Sequence, residues 1–538
     1  MTKSVLWFRQ GLRLHDNPAL IEAINTDDGR RQVTFYPVFI FDGESAGTKD
    51  VGYNRMKFLL ESLLDLDEQF KQLGAPGLFI FQGKPTEIFQ NLHDNIGINK
   101  ICFEQDCEYN ERDNEIKYLS RELGIEVVEK VSHTLWNPED IIRINGGFAP
   151  LTYQMLLHTV NVLGLPPRPV NNEVDFSQVN FGTIPEHHKI NLRLMKSIPS
   201  PEDFLIFPEN TGSDVYVNWN GGERHALEQM IDRVKHEEEA FASGTYLPNQ
   251  ANVDLMGSPK SMSAALRFGC LSVRRFYYTI HDKFNEVQDK MVYKLPGGHH
   301  ITGQLMWREY FYTMSINNPY YGQIKNNPIC LNIPWKSSEE DEILKWKQGR
   351  TGVPIIDASM RQLLAEGWLH HTLRNLTATF LTRTGLWISW EVGLQHFLKY
   401  LLDADLPICG GNWMWVSSSA FETLLDSSRC SIISLAHRLD PKGEYIKRYV
   451  PELRNFPMKY IHEPWRAPID IQEDIECIIG QDYPSPMIDI VQALQINCNR
   501  MKKIRESLIE SQPHVRPSNE DEIRTFFWIA DEIAIQCN

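Results

Sequence analysis

Residues 368–415 read WLHHTLRNLTATFLTRTGLWISWEVGLQHFLKYLLDADLPICGGNWMW, and they decide what fold the larger part of the chain must adopt. Apolar residues such as Leu394, Phe397, Leu398 and Leu401 recur at helical spacing. The pattern predicts helices over 369–383 and 390–402. Trp368, Trp387, Trp390, Trp413 and Trp415 share this stretch with His370, His371, Arg374, Asp403, Asp405 and Cys409. Charges among apolar helices are costly unless they are paired or hold something, and Arg374 is the natural counter-charge for the two acids. Trp387 and Trp390, three apart, would share a face if the second helix extended that far. CGGNWMW reads as a Gly-rich turn in which Gly410 and Gly411 allow a close backbone approach. On these residues alone, an ordinary core followed by an acidic loop competes with a pocket for a flat, polar ligand.

The helical period extends over 221–500, with further helices predicted over 224–241, 261–268, 273–284 (Ser272 as N-cap), 302–316 and 355–366. Residues 1 to about 130 differ. Buried-type strands around Val5, Val38, Ile80, Ile101 and Val127 alternate with helices over 53–73, 85–95 and 111–123, the signature of a parallel sheet covered on both faces. No Gly-rich phosphate loop follows the first strand. Pro- and Asn-rich sequence over 165–218 reads as a long connection, with His187 and His188 on the surface. The C-terminal segment from Gln512 carries a capped apolar stripe of Ile523, Phe526, Phe527 and Ile529 beside Trp528, and is expected to dock as a short helix. The expected organisation is 1–135 α/β, 136–220 connecting, 221–500 helical and 501–538 a regulatory tail.

At 538 residues the chain is too long for one core, and 42% hydrophobic with 23% charged residues fits a soluble globular protein. No apolar run is long enough to span a bilayer and residues 1–10 carry no export signal, so cytoplasm and nucleus are the expected location, without a membrane. Nine cysteines without a C-x-x-C pair suit neither a disulfide framework nor zinc, and no metal is expected. A net charge of −16 opposes non-specific DNA binding. In GSPKSMSAALRFG (257–269), Ser258, Lys260, Ser261 and Ser263 crowd a helix start, which suits either an anion or plain capping. In QLMWREYFY (304–312), Arg308 and Glu309 among aromatics suit either a pocket wall or a core ion pair.

In order and spacing, WFRQGLRLHDNPAL, SPKSMSAALRFG, GQLMWREYFY, GWLHHTLRN and DADLPICGGNWMWVSSS resemble the cryptochrome/photolyase family of flavoproteins, and most closely its insect-type (animal type I) light-sensing group. The resemblance implies a Rossmann-like α/β N-terminal domain, a larger all-α FAD-binding domain and a short tail helix. It places the FAD diphosphate on Ser258, Lys260, Ser261, Met262 and Ser263 with Tyr246 nearby, and the flavin and adenine side on Gln304, Trp307 and Arg308. His371 and Arg374 would flank the flavin ring, Asp403 and Asp405 its polar edge and Cys409 its N5 face, with Asn412 among the cofactor contacts. Trp413, Trp390 and Trp335 would relay electrons, and Trp387 matches a fourth member. An antenna chromophore is left open, with absence expected.

Dimer photolyases usually carry Asn where this chain has Cys409, and (6-4) photolyases carry a second histidine where it has Asn375. Both departures oppose repair activity. The resemblance therefore implies a non-enzymatic blue-light receptor of the circadian clock. In it, Phe526, Phe527 and Trp528 rest near His371 as an internal ligand, and light frees them. Released surfaces would recruit Timeless-like and Period-like clock proteins and ubiquitin-ligase components, without DNA. The alternatives are a photolyase or a light-independent transcriptional repressor.

Overall fold

The computed structural model describes residues 2–25, 33–44, 47–106, 108, 110–170, 176, 179–185, 194–209, 217–243, 255, 261–290, 301–337, 339–420 and 431–511. The five predicted strands form as β1 (Thr2–Phe8), β2 (Val33–Phe41), β3 (Phe79–Gln82), β4 (Lys100–Glu104) and β5 (Glu126–Lys130). All pair in parallel in the order β3-β2-β1-β4-β5, with Trp7 opposite Val38 on one side and Phe103 on the other. A two-residue strand, β6 (Asn180–Phe181), joins β2 from within the predicted connection, too short to show any periodicity.

Strands apolar on both faces need cover on both. Around the sheet lie α1 (Pro18–Ile24), α2 (Tyr53–Gln72), α3 (Pro85–Ile96) and α4 (Asn110–Leu123). Leu59, Leu63, Leu66 and Phe70 of α2 cluster with Leu6, Phe8, Phe35 and Phe39. Ile88, Phe89 and Leu92 of α3 cluster with Trp7, Val38, Ile40 and Phe103 on the opposite face. The connecting region opens with two helices not predicted from sequence, α5 (Pro138–Ile144) and α6 (Tyr153–Leu163).

The helical domain comprises α7 (Glu223–Ser243), α8 (Ser263–Arg267), α9 (Val273–Lys290), α10 (Ile301–Ser315), α11 (Glu340–Lys347), α12 (Pro354–Glu366), α13 (His371–Leu381), α14 (Trp390–Tyr400), α15 (Leu406–Val416), α16 (Ile432–Leu439), α17 (Glu444–Tyr449), α18 (Ile469–Asp474) and α19 (Ile490–Ser511). Ser272 caps α9 as expected, accepting from Arg275 N at 3.1 Å. The expected boundary at 500/501 falls inside α19 and is corrected: Met501, 4% exposed, packs with Ile333 and Trp387 and keeps the helix docked beyond it. The expected tail helix with Phe526, Phe527 and Trp528 lies outside the described residues.

The two domains meet at a pair of glycines. A Cβ on Gly269 (φ +66°) would sit 2.2 Å from Gly11 N, and Gly11 is itself left-handed at φ +70°, so neither tolerates a side chain. Around this contact Leu12 N donates to Phe268 O at 3.1 Å and Arg13 to Gly269 O at 3.0 Å. Leu14 N and His15 N donate to the two oxygens of Glu223 at 2.8 and 2.9 Å. Ser272 N donates to His15 Nε2 at 3.1 Å, so the proton sits on Nδ1, which donates to Glu223. At the carboxyl ends of the strands, Arg112 pairs with Asp42, Asp106 and Asp113 at 3.3, 3.0 and 3.3 Å, and Arg9 also pairs with Asp113. Nearly all of these charges are buried, so each depends on its partner.

Burial holds His15 below its ordinary value of 6.5 despite Glu223; burial pushes the Glu223 carboxyl up, but the His15 ring and the backbone amides of His15 and Leu14 hold it below its ordinary value. Between its folded value and 6.5, the unfolded chain binds the proton that folded His15 refuses, so its contribution is complete above about pH 6.5 and lost as pH falls. Thermal melts from pH 8 to 5 are expected to show a declining midpoint in wild type and a shallower decline in His15→Asn. Glu223→Gln is expected to lower stability by about 2 kcal/mol at pH 7.5 in urea titrations, because one amide oxygen replaces two carboxylate acceptors for three buried or part-buried donors.

Candidate cofactor-binding site

Asp405 starts α15. Its side chain accepts from Ile408 N at 2.7 Å, and Pro407 fills the first turn. CGGNWMW is therefore helix, not the expected Gly-rich turn. The cap and Pro407 nucleate it, and the glycines serve close packing within the chain: a Cβ on Gly411 would lie 2.2 Å from the Phe311 ring. Helix α14 does not extend back to Trp387, so the condition for Trp387 and Trp390 to share a helix face is not met. Ser389 caps α14, accepting from Glu391 N at 3.2 Å, so Trp387 falls in the preceding turn.

The expected ion pair forms with one of the two acids. Arg374 Nη1 and Nη2 donate to Asp403 Oδ1 and Oδ2 at 3.0 and 2.9 Å, and Arg374 Nε donates to Leu369 O at 2.8 Å. Burial pushes the Asp403 carboxyl up, but the Arg374 charge and hydrogen bonds, aided by the Ser263 hydroxyl, hold it below the ordinary value. Asp405 instead takes the Tyr312 hydroxyl at 2.6 Å. Ala404, between the two acids, accepts from buried Arg267 Nε at 2.9 Å.

His371 begins α13 behind its N-cap His370. Its side chain is exposed, yet burial, followed by the charges of His370 and Arg374, pushes the imidazole down to about 3. The low value describes a neutral ring. Asn375, one turn along, and Asn412 on α15 are likewise exposed beside buried Leu376 and Trp413. Cys409 is 7% exposed, and burial, reinforced by Asp405 and Asp403, pushes its thiol up to about 12. The ring nitrogen of Trp368 is buried and has no hydrogen-bond partner among the described residues.

Ser261 Oγ bonds Ser263 Oγ at 2.9 Å, and Met262 is buried beside them. Tyr246, Ser258 and Lys260 lie outside the described residues. On α10, Gln304 is exposed, and Trp307 stacks on Tyr153 at 3.6 Å and meets Trp415 edge-on at 5.3 Å. Arg308 turns inward, donating to Glu309 at 3.1 Å and to His133 Nε2 at 2.9 Å, so the core ion pair is present. His133 Nε2 lies 2.7 Å from the Tyr312 hydroxyl. This Arg308, His133, Tyr312, Asp405 chain was not singled out from sequence. Tyr312 sat unremarked in QLMWREYFY, and nothing local pairs it with residues 133 and 405.

Serine hydroxyls, a rim ion pair, a neutral imidazole, an unpartnered buried indole N–H and exposed amides together fit a large, flat cofactor with polar edges. Beside it stand the tryptophans. Trp413 rests on Gly393, where a Cβ would lie 2.1 Å from the ring, and Gly393 follows Trp390 by one turn of α14. Trp390 is fully buried. Trp335 packs against both that cluster and Trp387, whose ring centroid is 4.9 Å away.

The family described as FAD binding domain of DNA photolyase matches residues 301–503, and that described as DNA photolyase matches 4–171. The chain is 57% identical to Cryptochrome-1 of Aedes aegypti over 99% of both chains, and 56% identical to that of Drosophila melanogaster over 98% of this chain and 99% of the other. Its fold is similar to that of a Synechocystis cryptochrome, with a TM-score of 0.73 and 22% identity, covering 93% of this chain and 99% of that one.

Arg374→Met is expected to cost about 3 kcal/mol in urea titrations at matched cofactor occupancy, because it strands Asp403. Adding Asp403→Leu is expected to recover part of that loss. Native Cys409 is expected to react with iodoacetamide at pH 8 about a thousandfold more slowly than a free thiol, followed by mass spectrometry.

Proposed function

Because the chain belongs to the cryptochrome/photolyase family of FAD-binding proteins, we propose that it is a blue-light receptor of the circadian clock and not a repair enzyme. The bound FAD supplies light absorption and one-electron chemistry. What carries the reading is the run of indoles, from Trp413 on Gly393 through Trp390 to the Trp335 and Trp387 contact. Trp413 gives up an electron on illumination and is refilled in turn by Trp390, Trp335 and Trp387. Cys409, a neutral thiol, would stand among the groups that hold the cofactor and is a weak hydrogen-bond partner, so it would do little to offset negative charge gained there.

His371 then acts as the sensor. It is neutral at rest, and a negative charge arriving beside it favours its protonation. In this reading the segment carrying Phe526, Phe527 and Trp528, which lies outside the described residues, is the internal ligand of the dark state and is released when His371 becomes charged. The uncovered surface recruits Timeless-like and Period-like clock proteins and ubiquitin-ligase components in the cytoplasm and nucleus. The rival reading, photolyase activity, draws support from the exposed position of His371 beside Arg374. Asn375 opposes it, because an amide one turn from His371 cannot serve as the second acid–base group.

Trp413→Phe is expected to abolish blue-light photoreduction in the purified protein, followed by absorption, and with it light-induced tail release, followed by limited proteolysis. Tail release at wild-type efficiency without photoreduction would sink the electron-transfer trigger. Light-driven repair of a pyrimidine lesion by the same preparation would overturn the non-enzymatic reading.

A further inference from the structure

The tryptophan path ends beneath α19. Trp387 is 3% exposed, and its indole N–H donates to Pro334 O at 2.9 Å. Its backbone is left-handed at φ +58°, a conformation rare for a bulky residue. It is held there by Trp387 N donating to Thr382 O at 2.8 Å and Lys336 N to Trp387 O at 3.0 Å, so the ring has a fixed place. Above that ring stands the guanidinium of Arg500, 5.2 Å from the centroid. Arg500 donates to Asn497 Oδ1 at 3.0 Å, and Asn497 donates to Gly385 O at 2.8 Å, clamping α19 to the turn that carries Trp387. Met501 and Ile333 pack in the same cluster as Trp387, while Arg500 lies at the exposed edge of it. The nearby cation Lys336 is already paired with Glu342 at 2.8 Å.

A guanidinium keeps its charge at any pH the protein meets. It attracts the face of a neutral indole and repels an oxidised one, which is itself a cation. We infer that Arg500 is a positioning charge that limits how long the positive charge produced by light resides on Trp387, by favouring its return to Trp335. The inference rests on the tryptophan path proposed above. The electron count closes: one electron passes from Trp413 to the cofactor, one from Trp390 to Trp413, one from Trp335 to Trp390 and one from Trp387 to Trp335. The last indole ends one electron short, and the reverse transfers restore it.

Two measurements test this on the full-length, flavin-loaded protein. Flash photolysis reads the lifetime of oxidised Trp387. Pulse radiolysis with the neutral azide radical, which takes an electron from an indole and becomes azide, reads the same residue without light. Arg500→Gln, which keeps a donor for Asn497 but removes the charge, is expected to lengthen the lifetime and raise the radiolytic yield about threefold or more. Arg500→Lys is expected to stay near wild type, and Arg500→Gln to change nothing in a Trp387→Phe background. If Arg500→Gln matches wild type while Trp387→Phe shortens the charge-separated state, the role of Arg500 is overturned and the path stands. If Trp387→Phe leaves that state unchanged, Trp387 is not the terminus and both fall.

Discussion

The backbone contact between Gly11 and Gly269 is the constraint on which the site depends. It brings the loop after β1 against the end of α8, close enough for Arg13 to reach Gly269 O and for Glu223 to collect the amides of Leu14 and His15. Two residues before Gly269, Arg267 runs inward and bonds Ala404 O. That bond fixes the segment whose flanking acids pair with Arg374 on one side and cap α15 on the other. A side chain at either glycine would push the α/β domain off α8, and the displacement would pass through Arg267 to both aspartates. The α/β domain thus contributes to the helical site through its position.

Buried charge sets the chemistry of the pocket by two opposite outcomes. Where a cation is matched to an acid, as for Arg374 and Asp403, pairing outweighs burial and the acid stays ionised. Where no partner of opposite charge is close, burial wins, and His371 and Cys409 stay neutral. The site therefore sets the Arg374–Asp403 ion pair beside two neutral titratable groups, His371 and Cys409.

Periodicity made the elements legible. Continuous apolar runs around Val38 and Ile101 could only be strands covered on both faces, and the stripe of Leu59 and Leu63 could only be a helix lying on them. Helices 355–366, 369–383 and 390–402 were readable to within a few residues for the same reason. The failures have physical causes. CGGNWMW read as a turn because glycine disfavours helix in isolation, whereas the Asp405 cap and the close fit to Phe311 make it helix. β6 was invisible because two residues have no period.

The sequence by itself determined the two-domain organisation, the helical setting of the site and the residues available to it, since these follow from local spacing and from motifs read in order. Only the tertiary structure decided that Arg374 takes Asp403 and leaves Asp405 to Tyr312, that His133 and Arg267 stand behind the pocket, and that Arg500 faces Trp387. Those partners lie from 29 to 179 residues apart. Local periodicity carries no information about which of several charges will meet across such separations; burial and the geometry of packed helices make that choice.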